Sequence, residues 1–283
     1  MVAAVVTQPV RHFTLANHMP WPIDVPFRIA PGMRRLDQRQ IFVRDERASV
    51  YQQQKRERLP HALKGQADQS VINALAQTYE EQTGCVLTPN VEDLSLGMQE
   101  DFVILHDEPS EGFVARFLSV CYPSNWTPAS KLGLNFAAIH APVADNEMLL
   151  KAAQGIESIA FRQTSVERFV WLLSPTSDLA QDPDVRVDRW AQWVKQDHGS
   201  PDNMLKQVCF RVERQTTLPL PALKRAVFLI RLFVCPLDEV LRVQPGRASQ
   251  LHAALASMSD AVLAYRGMHL ARERLCAALA CTP

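Results

Sequence analysis

VCFRVERQT (Val208 to Thr216) and AVFLIRLFV (Ala226 to Val234) decide the fold. Each is too short and too rich in β-branched and aromatic residues for a helix, and PLPALKR lies between them as a turn. They read as two strands of one hairpin. VERFVWLL (Val166 to Leu173) reads as a third strand. Upstream, Phe102 to Leu105, the turn HDEPSEG and Phe113 to Cys121 form a first hairpin. Between the two strand groups, Thr127 before Pro128 opens a helix running to His140, where Pro142 stops it. A second helix follows Asp145 and carries Met148, Leu149, Ala152, Ile156 and Ile159 on one face. Two strands, a helical crossover and three strands predict an α+β domain of PAS-like architecture: a five-stranded antiparallel sheet holding a ligand between its concave face and the crossover helices.

Helices flank that core. Arg44 to Leu59 is a charged, solvated helix, and Val71, Ile72, Leu75 and Tyr79 mark an amphipathic one that Gly84 ends. Leu251, Leu255, Met258, Val262 and Tyr265 lie at helical spacing, with Gly267 as cap and a last helix from His269 to Ala280. A polar insertion, Ser174 to Asn203, carries Trp190 and Trp193. Pro20, Pro22, Pro26 and Pro31 make residues 1–40 an extended wrap, leaving 41–283 as a single domain with its flanking helices.

Composition excludes several functions. Thirty basic residues balance thirty acidic ones, so no excess charge draws the chain to nucleic acid or an anionic bilayer. No apolar run approaches the roughly 20 residues of a spanning helix, and Val2 to Val6 lacks the basic flank of a secretory signal; a cytoplasmic protein is expected. The ten glycines allow no GxGxxG, GxxxxGK[ST] or GxSxG. The six cysteines form no CxxC, and no HExxH occurs. An enzyme built on this chain takes its chemistry from a cofactor or from a partner subunit.

Several residues stand out. His140 follows Leu132 and Phe136 at four-residue steps, so its imidazole is expected to point inward as an axial haem ligand; a helix-end histidine is the plainer alternative. Alternation puts Arg214 on one face with Val208, Phe210 and Val212, and Arg231 stands in a run that is apolar on both faces. A buried arginine needs a carboxylate, a propionate or another anion. One of the two is therefore expected at a cofactor propionate or at bound dioxygen, with an internal ion pair, for instance to Glu213 or Glu100, as the alternative. Glu100 and Asp101 could form a base or amine-binding pair, although carboxylates before a strand are more often solvated. Tyr265 reads mainly as packing, with some chance of reaching the pocket.

PWPIDVPFRIAPGMRRLD (Pro20 to Asp37), QEDF (Gln99 to Phe102), CYPSNWTPASKLG (Cys121 to Gly133), FAAIHAPV (Phe136 to Val143), RVERQT (Arg211 to Thr216) and FLIRLFVCPL (Phe228 to Leu237) together resemble the haem-dependent oxidative N-demethylase family. That resemblance implies a PAS-like fold binding haem b and oxidising a small secondary amine, dimethylamine in the characterised case, to a primary amine and formaldehyde with dioxygen. It implies NADPH electrons delivered by partner subunits that carry FMN and a 2Fe–2S cluster, and a tetrahydrofolate-binding partner for the formaldehyde. His140 is carried over as iron ligand; Arg214, Arg231 and Glu213 are carried over as catalytic, the two arginines also as cofactor contacts. A haem-PAS oxygen or redox sensor without turnover is the competing reading.

Overall fold

The computed structural model describes residues 15–36, 40–181, 183 and 186–282. The parts of the expected wrap at 1–14 and 37–39, and positions 182, 184 and 185 of the insertion, lie outside them. Seven antiparallel strands form one sheet: β1 (Arg34–Arg35), β2 (Leu63–Gly65), β3 (Asp101–Glu108), β4 (Gly112–Ser119), β5 (Val166–Ser174), β6 (Cys209–Leu220) and β7 (Arg225–Pro236). Their spatial order is β1-β5-β6-β7-β3-β4-β2. The fold is thus α+β, and the expected count of five strands is corrected to seven. β1 and β2 are two and three residues long, too short for any alternation to show, and each merely extends an edge by pairing with β5 or β4. The five longer strands fall where the sequence put them.

β6 and β7 form the spine. They pair from Cys209 opposite Pro236 to Leu220 opposite Arg225, and Lys224 takes the left-handed conformation (φ 51°) that closes their turn. From Ala226 to Cys235 every β7 residue except Phe228 is buried, so the strand is covered on both faces. On one face, Phe102, Ile104, Phe117, Val227 and Leu229 pack against the helix Gln69–Thr83. Trp171, Phe210, Val212 and Phe233 continue that face beneath the C-terminal helices and residues 16–23. On the other face, Val103, Leu105, Ala115, Leu118, Val166 and Ala226 meet the crossover segment.

The crossover departs from the expected single helix over Thr127 to His140. A 3₁₀ turn, Pro128–Lys131, is followed by Gly133 at φ 80°, and a new helix, Phe136–His140, starts from Asn135, whose side chain accepts the Ala138 N–H at 3.0 Å. Leu132 therefore does not share a ridge with His140; it is 39% exposed. Helices Glu147–Lys151 and Ala153–Ile156 then lead into a π-helical turn, Glu157–Phe161. Met148, expected on the buried face, is 53% exposed. The long C-terminal helix is in fact two, Arg247–Ala256 and Asp260–Tyr265, divided at Ser259, whose hydroxyl caps the second.

Candidate functional site

A cavity of about 290 Å³ lies between the crossover and the sheet, in a largely apolar shell. Val103, Phe113, Phe136, Ile156, Phe161 and Ile230 are among its walls. Polar groups interrupt them at few places: Lys131, His140, Arg168, Arg189, Glu213 and Arg266 supply the ionisable side chains, with Tyr265 beside Arg266. A small number of fixed polar groups in an apolar cleft is the usual composition of a ligand site.

His140 is held by its own helix turn. Its Nδ1 lies 2.8 Å from the Phe136 carbonyl, and the two ring centroids are 4.2 Å apart with the planes tilted by 34°. A carbonyl only accepts, so Nδ1 carries the hydrogen and Nε2 keeps the lone pair. The Asn146 amide ties the His140 carbonyl to the following loop at 3.0 Å. The crossover is stitched to β4 where Asn135 bridges Val114 and Ala115 donates to the Leu134 carbonyl at 3.0 Å, which sets the histidine against the sheet. Burial, reinforced by the positive charges of Arg168 and Lys131, pushes the His140 pKa down to about 4 against the opposing Phe136 hydrogen bond. The imidazole is neutral at physiological pH, with its proton fixed on the nitrogen away from the available lone pair.

Glu213 lines the cavity from β6, where Oε2 accepts the Gln215 amide at 2.8 Å. Its sequence neighbour Arg214 does not line it. Arg214 and Arg231 are directly opposed across β6 and β7, on the face turned away from the crossover. Arg214 donates to Glu167 at 2.9 Å and to the Ile41 and Gln40 carbonyls at 2.7 and 2.6 Å. Arg231 donates to Asp45 at 2.7 Å and to the Leu232 carbonyl at 2.6 Å. Neither arginine lines the cavity; both make the internal ion pair that was the alternative reading, with Glu167 and Asp45 rather than Glu213 or Glu100, and together they pin residues 40–45 across the back of the sheet. The face carrying Val208, Phe210 and Val212 is apolar because helices cover it, not because it faces the cavity.

Glu100 and Asp101 also serve that structure. Both are buried; Glu100 accepts the Val43 N–H at 2.9 Å, while Asp101 pairs with Lys55 at 3.0 Å and accepts the Tyr122 N–H at 2.7 Å. Neither is a solvated turn residue or an amine-binding group. Sequence reasoning instead missed Arg168, Arg266 and Lys131. Arg168 alternates with Val166, Val170 and Leu172 along β5, the same signal that drew attention to Arg214. Arg266 follows the short helix Asp260–Tyr265 and is 7% exposed, its guanidinium 4.6 Å from the Phe27 ring and 5.1 Å from that of Trp171. Tyr265 does reach the cavity.

Among the described residues, no cluster of three or more His, Cys, Asp or Glu could hold a bare metal ion. A metal at His140 must bring most of its ligands with it, as a porphyrin does, and the fixed Nδ1–H leaves Nε2 for one axial bond. The apolar walls and the arginine nitrogens without partners suit a large apolar ligand with anionic ends. Fold and site together define an α+β protein with a largely apolar cavity beside a neutral histidine. Residues 57–276 match the family described as haem-dependent oxidative N-demethylase, alpha subunit-like, and the chain belongs to that family. The name describes a family of haem-dependent oxidoreductases and places the alpha subunit within a multi-subunit complex.

Proposed function

We propose that this chain is the haem-binding catalytic subunit of a cytoplasmic amine N-demethylase, converting a small secondary amine such as dimethylamine, with dioxygen, two electrons and two protons, to a primary amine, formaldehyde and water. The observation that carries the reading is His140: a neutral imidazole on an apolar cavity, its Nδ1–H held by the Phe136 carbonyl. On this reading Nε2 of His140 would hold the iron of haem b in a PAS-like core formed by β3 to β7. When bound, haem supplies the activation of dioxygen; the protein supplies ligation, orientation and polarity. Glu213 is the one carboxylate among the described cavity residues. It receives the ammonium of the substrate and takes its proton at Oε1, since Oε2 already accepts from Gln215. Phe113, Phe161 and Ile230 exclude water from the N-methyl group. Electrons reach the site from NADPH through reductase-type partner subunits bearing FMN and a 2Fe–2S cluster, and a tetrahydrofolate-binding partner takes the formaldehyde.

The test is the visible spectrum of the protein reconstituted with haemin, before and after dithionite and then dimethylamine. A Soret band that moves on amine addition and is lost in His140→Ala is the expected result, and failure to take up haemin overturns the proposal. Amine-dependent oxygen consumption with a reductase separates an enzyme from a haem sensor, which would bind oxygen without turnover.

A further inference from the structure

Interior arginines of this protein are satisfied with one pattern of exceptions. Arg211 donates to Ser124 Oγ and to the Asp178 and Leu179 carbonyls, while Arg214 and Arg231 each meet a carboxylate and backbone carbonyls. Arg168 and Arg266, both on the cavity, make no hydrogen bond or ion pair among the described residues. Nε of Arg168 and Nη1 of Arg266 are shielded from solvent and without a partner. Among the described residues the Arg266 guanidinium meets the Phe27 and Trp171 rings, and Glu213 turns to Gln215 rather than pairing with Arg168. Arg168 feels the charge of Glu213 without pairing with it, and a buried cation lacking a paired counter-charge is costly and marks a place where a negative group belongs. Lys131 differs, because its Nζ donates to the Ile139 carbonyl at 3.1 Å. Among the described residues the cavity therefore has four cationic side chains, Lys131, Arg168, Arg189 and Arg266, against the carboxylate of Glu213.

We propose that Arg168 and Arg266 are the anion seats of the cavity, each receiving one carboxylate of the bound ligand. Arg168 stands on the cavity face of β5, whereas Arg266 lies against Trp171, whose ring is on the opposite face of that strand, so the two seats reach the cavity from either side of β5. Arginine matches a carboxylate with parallel donors, and each seat lies in apolar surroundings that strengthen the pair. Resting on the haem reading, the inference makes these carboxylates the two propionates, the role that sequence alone had given to Arg214 or Arg231.

The experiment compares haemin with its dimethyl ester, which keeps the macrocycle and iron and lacks both negative charges. Apoprotein is titrated with each, and binding is read from the Soret band. Wild type is expected to bind haemin at least about tenfold more tightly than the diester, the scale of one charge-assisted hydrogen bond. Arg168→Met and Arg266→Met weaken haemin by a similar factor, leave the diester within about twofold, and keep the Soret position set by His140. Arg168→Lys recovers part of the loss. Equal affinity for haemin and diester in wild type overturns the inference while leaving the haem reading in place, and needs no variant to fold. Haemin binding unchanged in both folded methionine variants overturns it as well. Absence of binding by either compound overturns the haem reading and the inference with it.

Discussion

His140 and Arg214 show how differently two single residues can be read. Pro142 fixes where the His140 helix ends, and the four-residue step from Phe136 places the imidazole beside that ring, so local sequence sufficed. Arg214 needed knowledge of what covers the other side of the sheet, because both faces of β6 and β7 are buried and alternation names a face without naming its neighbour. Arg168 was as visible in principle as Arg214, since it breaks the apolar face of β5 in the same way. At this scale two outcomes are expected. His140→Ala abolishes the haemin Soret band, and added imidazole restores it, because the cavity wall stays intact when the ligand alone is removed. Glu213→Gln keeps the hydrogen-bonding shape of the side chain and removes its charge. It raises the amine concentration needed for half-maximal spectral change by roughly ten- to a hundredfold, the scale of one lost charge-assisted bond; an unchanged titration rejects Glu213 as the ammonium partner.

Residues 40–45 act as an element although they are neither helix nor strand. Arg214 and Arg231 hold their carbonyls and Asp45 from below, and Gln82, Gln99 and Glu100 accept their N–H groups from the flanks. Arg231 and Arg214 face each other across the ladder, where like charges repel unless each has its own counter-ion. Arg231→Ala removes the partner of Asp45 Oδ2, while Oδ1 still accepts from Arg47 and Gln99, and is expected to cost about 1.5–3 kcal/mol in denaturant unfolding. Haemin binding per folded molecule is unaffected, because the residue is remote from the cavity lining. Glu100 gives this element a pH signature. Burial raises its carboxyl pKa above the usual 4.5, against the pull of Arg231 and Lys55. Between 4.5 and the raised value the folded state binds more protons than the unfolded one, so this group makes stability fall as pH rises through that window. Glu100→Gln keeps an acceptor for the Val43 N–H and removes that component; a stability profile of unchanged slope counts against it. None of this network was readable from QEDF alone, since its partners come from residues 41–55, far away in sequence.

At the scale of the whole molecule, residues 21–27 meet residues 250–257 beside the sheet. Trp21 donates to Gln250 at 2.6 Å and packs on Phe210 at 5.0 Å, and the Phe27 N–H donates to Ser257 at 2.8 Å. Ile29 and Met33 continue from there into the cavity wall. They lie outside the span matched by the family, 57–276, yet help to enclose its site. Trp21→Ala is expected to destabilise the fold by roughly 2–4 kcal/mol, measured by thermal or denaturant unfolding, and to make the chain before residue 33 sensitive to protease. The order of the five long strands along the chain was legible because each is bounded by turn residues and filled with β-branched and aromatic side chains. Their order in space was not legible, because alternation names a face without naming the neighbouring strand, and the two- and three-residue edge strands left no pattern at all. No helix among the described residues is long and apolar enough to cross a membrane.

The π-helical turn at Glu157–Phe161 changes how residues should be counted. Ile156 and Phe161 both line the cavity, yet five residues of ordinary α-helix would leave them about 140° apart around the axis. The wider i→i+5 loop lodges one surplus residue and swings Phe161 back toward Phe113, whose ring lies 5.1 Å away. An alignment that lets this segment slip by one position would thus hand the role of Phe161 to the wrong side chain, and a chain shortened by one residue here would keep its helix while losing a wall.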